Sequence, residues 1–379
     1  MKTGKRKVFI IHFQPLELFP PAMNMIDFLG RNNDLQLIVV TNKKAKSNLL
    51  SVYTNTTGNV KIYRPSRQSA SPLLRYLNYF LFYTVSFLLL LRYNPSIVWY
   101  IETLSSLPAV MYKKLKGAKV NLMVHYHEYT EPRLYKGGMF LSRWMYKLEF
   151  KMYRKYSWIS HTNPVRLQMF KDDNNLSDFS PKIFHVMPNY PPSSWLKNNN
   201  NSMSQNGIKK MVFVGSLGYD NMYLQEVIDW LSAYKNTFLL DVYSYNIDAK
   251  ARKVLEDAGQ DNIKYCGGCD YQNLPEVLKD YDIGLVIYKP FSQNTIHAVS
   301  NKVFEYIACG LDVWFSQDMT YTFKYTRENV YPKILPVNFQ QMDSFDYRTA
   351  ISRDGVNYAA SNYFYENIYP EILHHIQKV

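Results

Sequence analysis

The feature that most constrains this chain is a repeated alternation of short, unbroken apolar runs with segments of helical spacing. The first half reads "KVFIIHF", a proline-rich loop "QPLELFPPAMN", a helix over Ala22 to Gly30, then "LQLIVV". A helix around Leu73 to Leu91, the run "SIVWYI", a helix from Pro108 and the run "NLMVHY" follow. Runs without polar alternation suit strands buried on both faces of a parallel sheet, and the helices between them supply the crossovers. After "HVMPNYPP" (His185 to Pro192) the order breaks at "NNNNSMSQN" (Asn198 to Asn206), a polar stretch of low complexity. It then restarts with "KKMVFVGSLG", "FLLDVYSY", a helix near Ala249 to Ala258, "NIKYCGG", a helix "LPEVLKDY" and "IGLVIY". The expectation is two parallel α/β domains, over 1–192 and 208–360, with a linker at 193–207. A closing amphipathic helix over 361–379 is placed to cross back to the first domain. At 379 residues the chain is too long for one typical core, and a hydrophobic content of 47% is enough for two.

Charge separates the halves. Residues 1–192 hold 27 Lys+Arg against 10 Asp+Glu, while the remainder holds 17 against 21. The whole excess of the +13 chain therefore lies in the first half. That asymmetry points to an anionic partner there, a membrane surface, lipid phosphate or nucleic acid; the alternative is a solvated basic surface. No recognition helix or aromatic-basic RNA motif accompanies the charge, so nucleic acid is not expected. The stretch Leu73 to Leu91 is nearly membrane-length, but Arg75, Asn78, Thr84 and Ser86 interrupt it. It is read as interfacial, with Phe80, Phe82 and Phe87 toward lipid, or as a buried helix on the sheet. Three cysteines fit a reducing compartment, and the run Val8 to Phe13 is too short for a signal-peptide core.

The segment "SNKVFEYIACG" (Ser300 to Gly310) raises a chemical question, because it sets one carboxylate among apolar residues. Ser300 is a good N-cap and Gly310 a good C′ residue for a short helix. The preceding run "IGLVIY" puts its start near the carboxyl edge of a parallel sheet, where open α/β domains bind ligands. First-turn N–H groups near Asn301 and Lys302 favour an anion such as phosphate. Glu305, four residues after Asn301, shares its helix face and lies about one turn, roughly 5 Å, further on. That separation suits the vicinal hydroxyls of a ribose carried by the phosphate. The alternative is a partly exposed carboxylate with no ligand.

These stretches together resemble the GT-B glycosyltransferases, in particular glycosyltransferase family 4 and its group 1 relatives. The resemblance is carried by "FQPLELFPPAMN", "PSIVWYIET", "VHYHEYTEP", "VMPNYPP", "VFVGSLG" and, most specifically, "YDIGLVIYKPFSQNTIHAVSNKVFEYIACGLDVW". It implies two Rossmann-like domains with parallel sheets facing a central cleft. It implies donor-binding roles for Gly215, Ser216, Asn294, His297, Ser300, Asn301, Lys302 and Glu305, with Glu305 on the nucleotide ribose. His127 and Glu128 become the catalytic candidates, and Glu17 is placed on the acceptor side. The implied reaction moves a sugar from a nucleotide diphosphate sugar to a glycan or lipid-linked acceptor, with retention and without a metal, in bacterial surface polysaccharide synthesis. No cofactor beyond that co-substrate is implied. The expected location is the cytoplasm, on the inner face of the cytoplasmic membrane. Two departures stand out. His297 occupies the place of the first of the family's two glutamates, and "GSLGYDN" lacks the usual cations, leaving Lys302, the helix N-terminus or Lys289 to meet a diphosphate.

Other motifs carry less. "CGGC" (Cys266 to Cys269) lacks the second pair a structural zinc site needs. "DYD" (Asp280 to Asp282) precedes a strand instead of ending one, which reads as a solvated helix terminus. His125 and Glu131 flank the catalytic candidates. The rival readings are a nucleotide-sugar epimerase, which shares the GT-B fold, and a non-catalytic nucleotide or nucleic-acid binding protein.

Overall fold

The apolar runs of the first half become one parallel sheet. The computed structural model describes residues 4–43, 58–67, 71–196, 207–258 and 261–379. Strands β1 (Arg6–His12), β2 (Leu35–Thr41), β3 (Val60–Tyr63), β4 (Ile97–Ile101), β5 (Asn121–Tyr126), β6 (Trp158–His161) and β7 (Phe184–Val186) lie in the order β3-β2-β1-β4-β5-β6-β7. Central β1 sets the register, Val8 to His12 pairing with Leu37 to Thr41 on one side and Ile97 to Ile101 on the other. Both of its faces are covered, so Val8, Phe9, Ile10 and Ile11 are fully buried. The crossovers supply α1 (Pro20–Gly30), α2 (Pro72–Tyr93), α3 (Ser106–Lys116), α4 (Pro132–Gly137), α5 (Phe140–Phe150) and α6 (Pro164–Asp173). Helices α2, α3 and α5 pack on the sheet face that presents Phe9, Val98 and Leu122. Helix α1 covers the opposite face, which presents Val8, Trp99 and Met123.

Helix α2 divides its residues at helical spacing. Tyr79, Phe82, Tyr83, Ser86 and Leu90 enter the core, and Phe82 meets the Phe13 ring edge-on at 5.0 Å. The expectation that Phe80, Phe82 and Phe87 share an outward face is corrected. Phe80 is 71% exposed, Phe82 is fully buried, and Phe87 is half-buried against the core. Phe80 and Phe82 are two residues apart, roughly 200° around an α-helix, so one must turn inward when the other turns out.

The second half repeats the design. Strands β8 (Lys209–Val214), β9 (Phe238–Tyr243), β10 (Ile263–Gly267), β11 (Ile283–Val286) and β12 (Asp312–Ser316), with β14 (Ile334–Val337), form a parallel sheet in the order β10-β9-β8-β11-β12-β14. A two-stranded pair, β13 (Val330–Tyr331) and β15 (Asn357–Tyr358), lies outside it. The helices are α7 (Leu224–Ala233), α8 (Ala249–Asp257), α9 (Leu274–Leu278), α10 (Gln293–Ile296), α11 (Asn301–Ala308) and α12 (Tyr347–Ile351). In each sheet the chain builds outward from its first strand and then returns to that strand's other side. This reversal falls between β1 and β4 in one unit and between β8 and β11 in the other, and parallel α/β sheets open a crevice at the carboxyl ends of such strands.

By contacts the chain divides into one unit of residues 1–189 with 365–379, and a second of 190–364. The boundaries differ by a few residues from the expected 192 and 360. Helix α13 (Tyr369–Lys378) belongs to the first unit, with Ile372 and Ile376 fully buried beside α1. Its Glu371 meets His185, whose ring stacks on Trp158 at 3.4 Å. Of the expected linker 193–207, residues 197–206, which include the stretch Asn198 to Asn206, lie outside the described residues. The described part before it packs on the second unit instead of bridging: Trp195 is buried against Tyr271, with ring centroids 4.7 Å apart.

Candidate functional site

The second unit's crevice is built on Gly215, the residue after β8. Its N–H donates to the Tyr243 carbonyl at 2.9 Å and its φ is +135°, a conformation that L side chains rarely adopt. A Cβ there would lie 2.4 Å from Lys302 Cε and 2.8 Å from Nζ. The lysine is thus laid against the loop backbone, and only glycine leaves room for it. Lys302 comes from the first turn of α11. That helix ends in a Schellman closure: Gly310 has φ +83°, Leu311 N–H reaches the Tyr306 carbonyl at 2.9 Å, and Gly310 N–H reaches Ile307 at 3.2 Å. At the other end Ser300 stands at the N-cap, but its side chain makes no capping bond. The expected cap is therefore not made through the hydroxyl.

Asn301 and Glu305 share the face that their spacing requires, the Asn301 amide donating to Glu305 Oε1 at 2.9 Å. Glu305 is buried. Burial pushes its carboxyl above the ordinary range, while Lys302 and the Asn301 bond pull the other way. One residue that no motif singled out fixes this geometry. The Tyr306 hydroxyl accepts the Val214 N–H at 3.1 Å, tying α11 to the end of β8. Its ring lies on Gly284 of β11, where a Cβ would come within 2.1 Å.

The remaining donor-side candidates are placed around this core. Ser216 Oγ is met by the Asn246 amide at 3.5 Å, the outer limit of a hydrogen bond. Asn294 is half-buried on α10, whose Ser292 cap accepts from Thr295 N–H at 3.2 Å. His297, just after α10, faces the Thr320 hydroxyl at 3.3 Å. Lys289 does not reach toward Gly215 as one alternative required. It is paired with Glu226 at 2.9 Å and sits over the Tyr223 ring. Asp282 accepts the Lys210 N–H at 2.9 Å before β11, at the sheet edge opposite Gly215. Cys266 and Cys269 are free thiols, each pushed up by burial. Among the described residues no group of three or more His, Cys, Asp or Glu is placed to hold a metal ion.

The first unit's crevice is a cavity of about 280 Å³ between the ends of β1 and β4. It is lined by Phe13 and Gln14 after β1, by Glu102 and Thr103 after β4, and by Glu128 after β5. Tyr135 of α4 and Ser142 of α5 close its side, and the Tyr135 hydroxyl meets Thr103 at 2.8 Å. Glu102 organises the site, and no spacing signalled it. It has φ +63°, strained for a non-glycine residue, and its Oε1 accepts the N–H of His127 at 2.7 Å and of Glu128 at 3.4 Å. Loss of water, then the nearby Glu128, push its carboxyl up to about 8.

The two catalytic candidates part company. Glu128 lines the cavity and is exposed, whereas His127 turns inward. Its Nδ1 faces His125 Nε2 at 3.2 Å and Asn189 at 3.3 Å, and its carbonyl accepts from buried Arg166 at 3.0 Å. Burial lowers His127 to about 4, so the ring is neutral at pH 7. Glu17 is a clamp in place of an open ligand: both oxygens grip Arg64, at 2.6 and 3.3 Å, with both side chains nearly covered. Glu131 pairs with Arg133 at 2.5 Å.

Two Rossmann-like units, each with its crevice beside the first strand, define the GT-B class of fold. Solved structures of that class match almost the whole chain. HepE from Anabaena, in complex with UDP and glucose, aligns at a TM-score of 0.66 and 9% identity over 99% of this chain and 100% of that one. The lipopolysaccharide outer core galactosyltransferase WaaB aligns at 0.60 and 11% identity over 97% and 99%. The UDP-GlcNAc 2-epimerase from Neisseria meningitidis, bound to UDP-GlcNAc, aligns at 0.59 and 12% over 99% and 100%. Identities this low speak to the fold alone. No family model and no curated protein matches the sequence.

Proposed function

We propose that the chain is a glycosyltransferase that takes a sugar from a nucleotide diphosphate sugar held by the second unit. The observation that carries this reading is the set Gly215, Lys302, Asn301 and Glu305, gathered where β8 ends and α11 begins. Lys302 and the first-turn N–H groups of α11 meet the diphosphate, and Glu305 accepts from the ribose hydroxyls. Ser216, Asn294 and His297 border the donor. As the bond from the anomeric carbon to the diphosphate breaks, the departing charge falls on Lys302 and the helix terminus, with no metal required. The acceptor hydroxyl binds the first unit's cavity, where Glu128 is the carboxylate free to receive its hydrogen bond; the hydroxyl oxygen forms the new bond to the anomeric carbon as the old one breaks, and its proton leaves with the diphosphate. Configuration is retained. His127 acts through its backbone, as the peptide that Glu102 and Arg166 hold in place.

UDP is the nucleotide to test first, since HepE was solved with UDP and glucose and the Neisseria epimerase with UDP-GlcNAc. On this reading the enzyme works in the cytoplasm, at the inner face of the membrane, on a glycan or lipid-linked acceptor for a bacterial surface polysaccharide. A thermal-shift screen against nucleotide sugars identifies the donor, because a ligand specific to the folded state raises its stability. Incubation of that donor with membrane extract, with and without EDTA, then gives glycosylated product and free nucleoside diphosphate in both. Epimerised donor with no acceptor needed would place the chain with the epimerases, and loss of product in EDTA would refute metal independence.

A further inference from the structure

The first unit carries an apolar surface that its own core does not use. Helix α2 is long and apolar enough, by length and composition, to cross a membrane over Leu74–Tyr93, with a mean hydropathy of 1.4. Its inner side is committed to the sheet, so it cannot span. Its outer side leaves Leu77, Phe80, Leu81 and Leu88 exposed along one flank. Helix α3 packs beside both α2 and α5, and Tyr83 of α2 touches Met145 of α5, so the three share one side of the sheet. From α5 project Phe140, 79% exposed, and Trp144, 41% exposed. A soluble surface seldom groups so many large apolar residues without a partner.

Charge identifies the partner. The segment 132–155, which contains α4 and α5, holds seven Lys and Arg and a single acidic residue, Glu149. Glu149 is wholly buried under Tyr100 and Tyr126, so the outer face of the segment carries no negative side chain. Exposed aromatic and aliphatic side chains interleaved with cations are what an interfacial surface on an anionic bilayer needs. We propose that the outer flank of α2, with α4 and α5, docks this protein on an anionic lipid membrane. The same two short helices wall the first unit's cavity through Tyr135 and Ser142. The docked face therefore lies beside the cavity, and an acceptor headgroup can enter while its lipid tail stays in the bilayer; this last point alone rests on the transferase reading.

The test is cosedimentation of the full chain with phosphatidylglycerol and phosphatidylcholine vesicles across a salt series. Wild type binds the anionic vesicles, and 0.5 M salt weakens but does not abolish binding. The variant Leu77→Ser/Phe80→Ser/Leu88→Ser, which spares the core, loses the salt-resistant part, about tenfold or more in partition. The variant Lys136→Glu/Arg143→Glu/Lys147→Glu loses the salt-sensitive part, on the order of a hundredfold. Circular dichroism and UDP-induced thermal shift stay as in wild type, which separates failure of docking from failure of the transferase reading. Wild type left in the supernatant at low salt overturns the proposal. So does equal binding by both variants, or a soluble homodimer that the serine variant dissociates.

Discussion

Replacing Gly215 by alanine is the sharpest probe of the donor site, because the structure specifies what the added methyl meets. It would lie 2.4 Å from Lys302 Cε and 2.8 Å from Nζ. Those atoms end a flexible side chain, so the lysine swings away while the loop stays. Two separable effects follow. A φ of +135° strains alanine by about 1–3 kcal/mol, which appears as lost stability whether or not nucleotide is present. The displaced ammonium forfeits a charge-assisted bond to the diphosphate, about 1.5–3 kcal/mol, or roughly 10- to 150-fold in UDP affinity. Calorimetry with UDP on wild type, Gly215→Ala, Lys302→Ala and the double variant completes a cycle. If glycine acts by making room for the lysine, the double variant binds UDP no more weakly than Lys302→Ala alone. Strictly additive losses, or wild-type affinity in Gly215→Ala, would refute that coupling.

Glu305→Ala should weaken UDP by roughly 30- to 150-fold with the fold intact, for about 2–3 kcal/mol of lost charge-assisted bonding, and calorimetry against Glu305→Gln separates charge from shape. Stability should fall at both ends of the pH scale. Burial raises Glu149 to about 7, so the folded state keeps a proton that the unfolded chain releases near 4.5, and stability declines as pH rises between those values. Glu149's share of that decline is about 3.5 kcal/mol (about 2.5 pH units at ~1.4 kcal/mol each), and denaturant titration of Glu149→Gln should lack that share while keeping the one from Glu102. Burial instead lowers His12 and His161 to about 3 and His127 to about 4, so each costs stability as pH drops from about 6.5 through those values and opposes the carboxyls there; His161→Phe should remove one share of that acid loss, and an unchanged pH dependence in the variant would contradict its burial as a neutral ring. Glu102→Ala, by releasing the peptides of His127 and Glu128, should lower kcat more than it raises the donor KM; unchanged kcat would show that the loop holds without it.

The architecture was legible because it rests on long signals. Each apolar run named a strand, and the restart after residue 207 announced the second sheet. Helix α11 was read almost to its ends, since Ser300, Gly310 and the four-residue step from Asn301 to Glu305 are local facts. What stayed hidden depends on contacts far apart in sequence. That Tyr306 would bond Val214 and rest on Gly284 needs three elements already assembled. Glu102 gave no sign because its importance lies in a backbone angle and in the N–H groups of a loop 25 residues away. Burial along α2 failed at Phe82, and the linker failed at Trp195, because composition does not tell which side of an apolar segment meets the sheet. Glu17 and Lys289 were plausible ligands by position, yet each spends its charge on a partner, Arg64 and Glu226.

Residues 365–379 close the core of the first unit, and this sets an order of events during synthesis. The strands of that unit leave the ribosome early, but the surface that Ile372 and Ile376 cover stays bare until the entire second unit has been made. Domains emerging from the ribosome usually finish in sequence order. Here the second unit can complete itself while the first, though older, waits with an open side. A chain cut short after residue 364 would hold a finished second unit attached to an unfinished partner, and its early half would be the part that chaperones and proteases find.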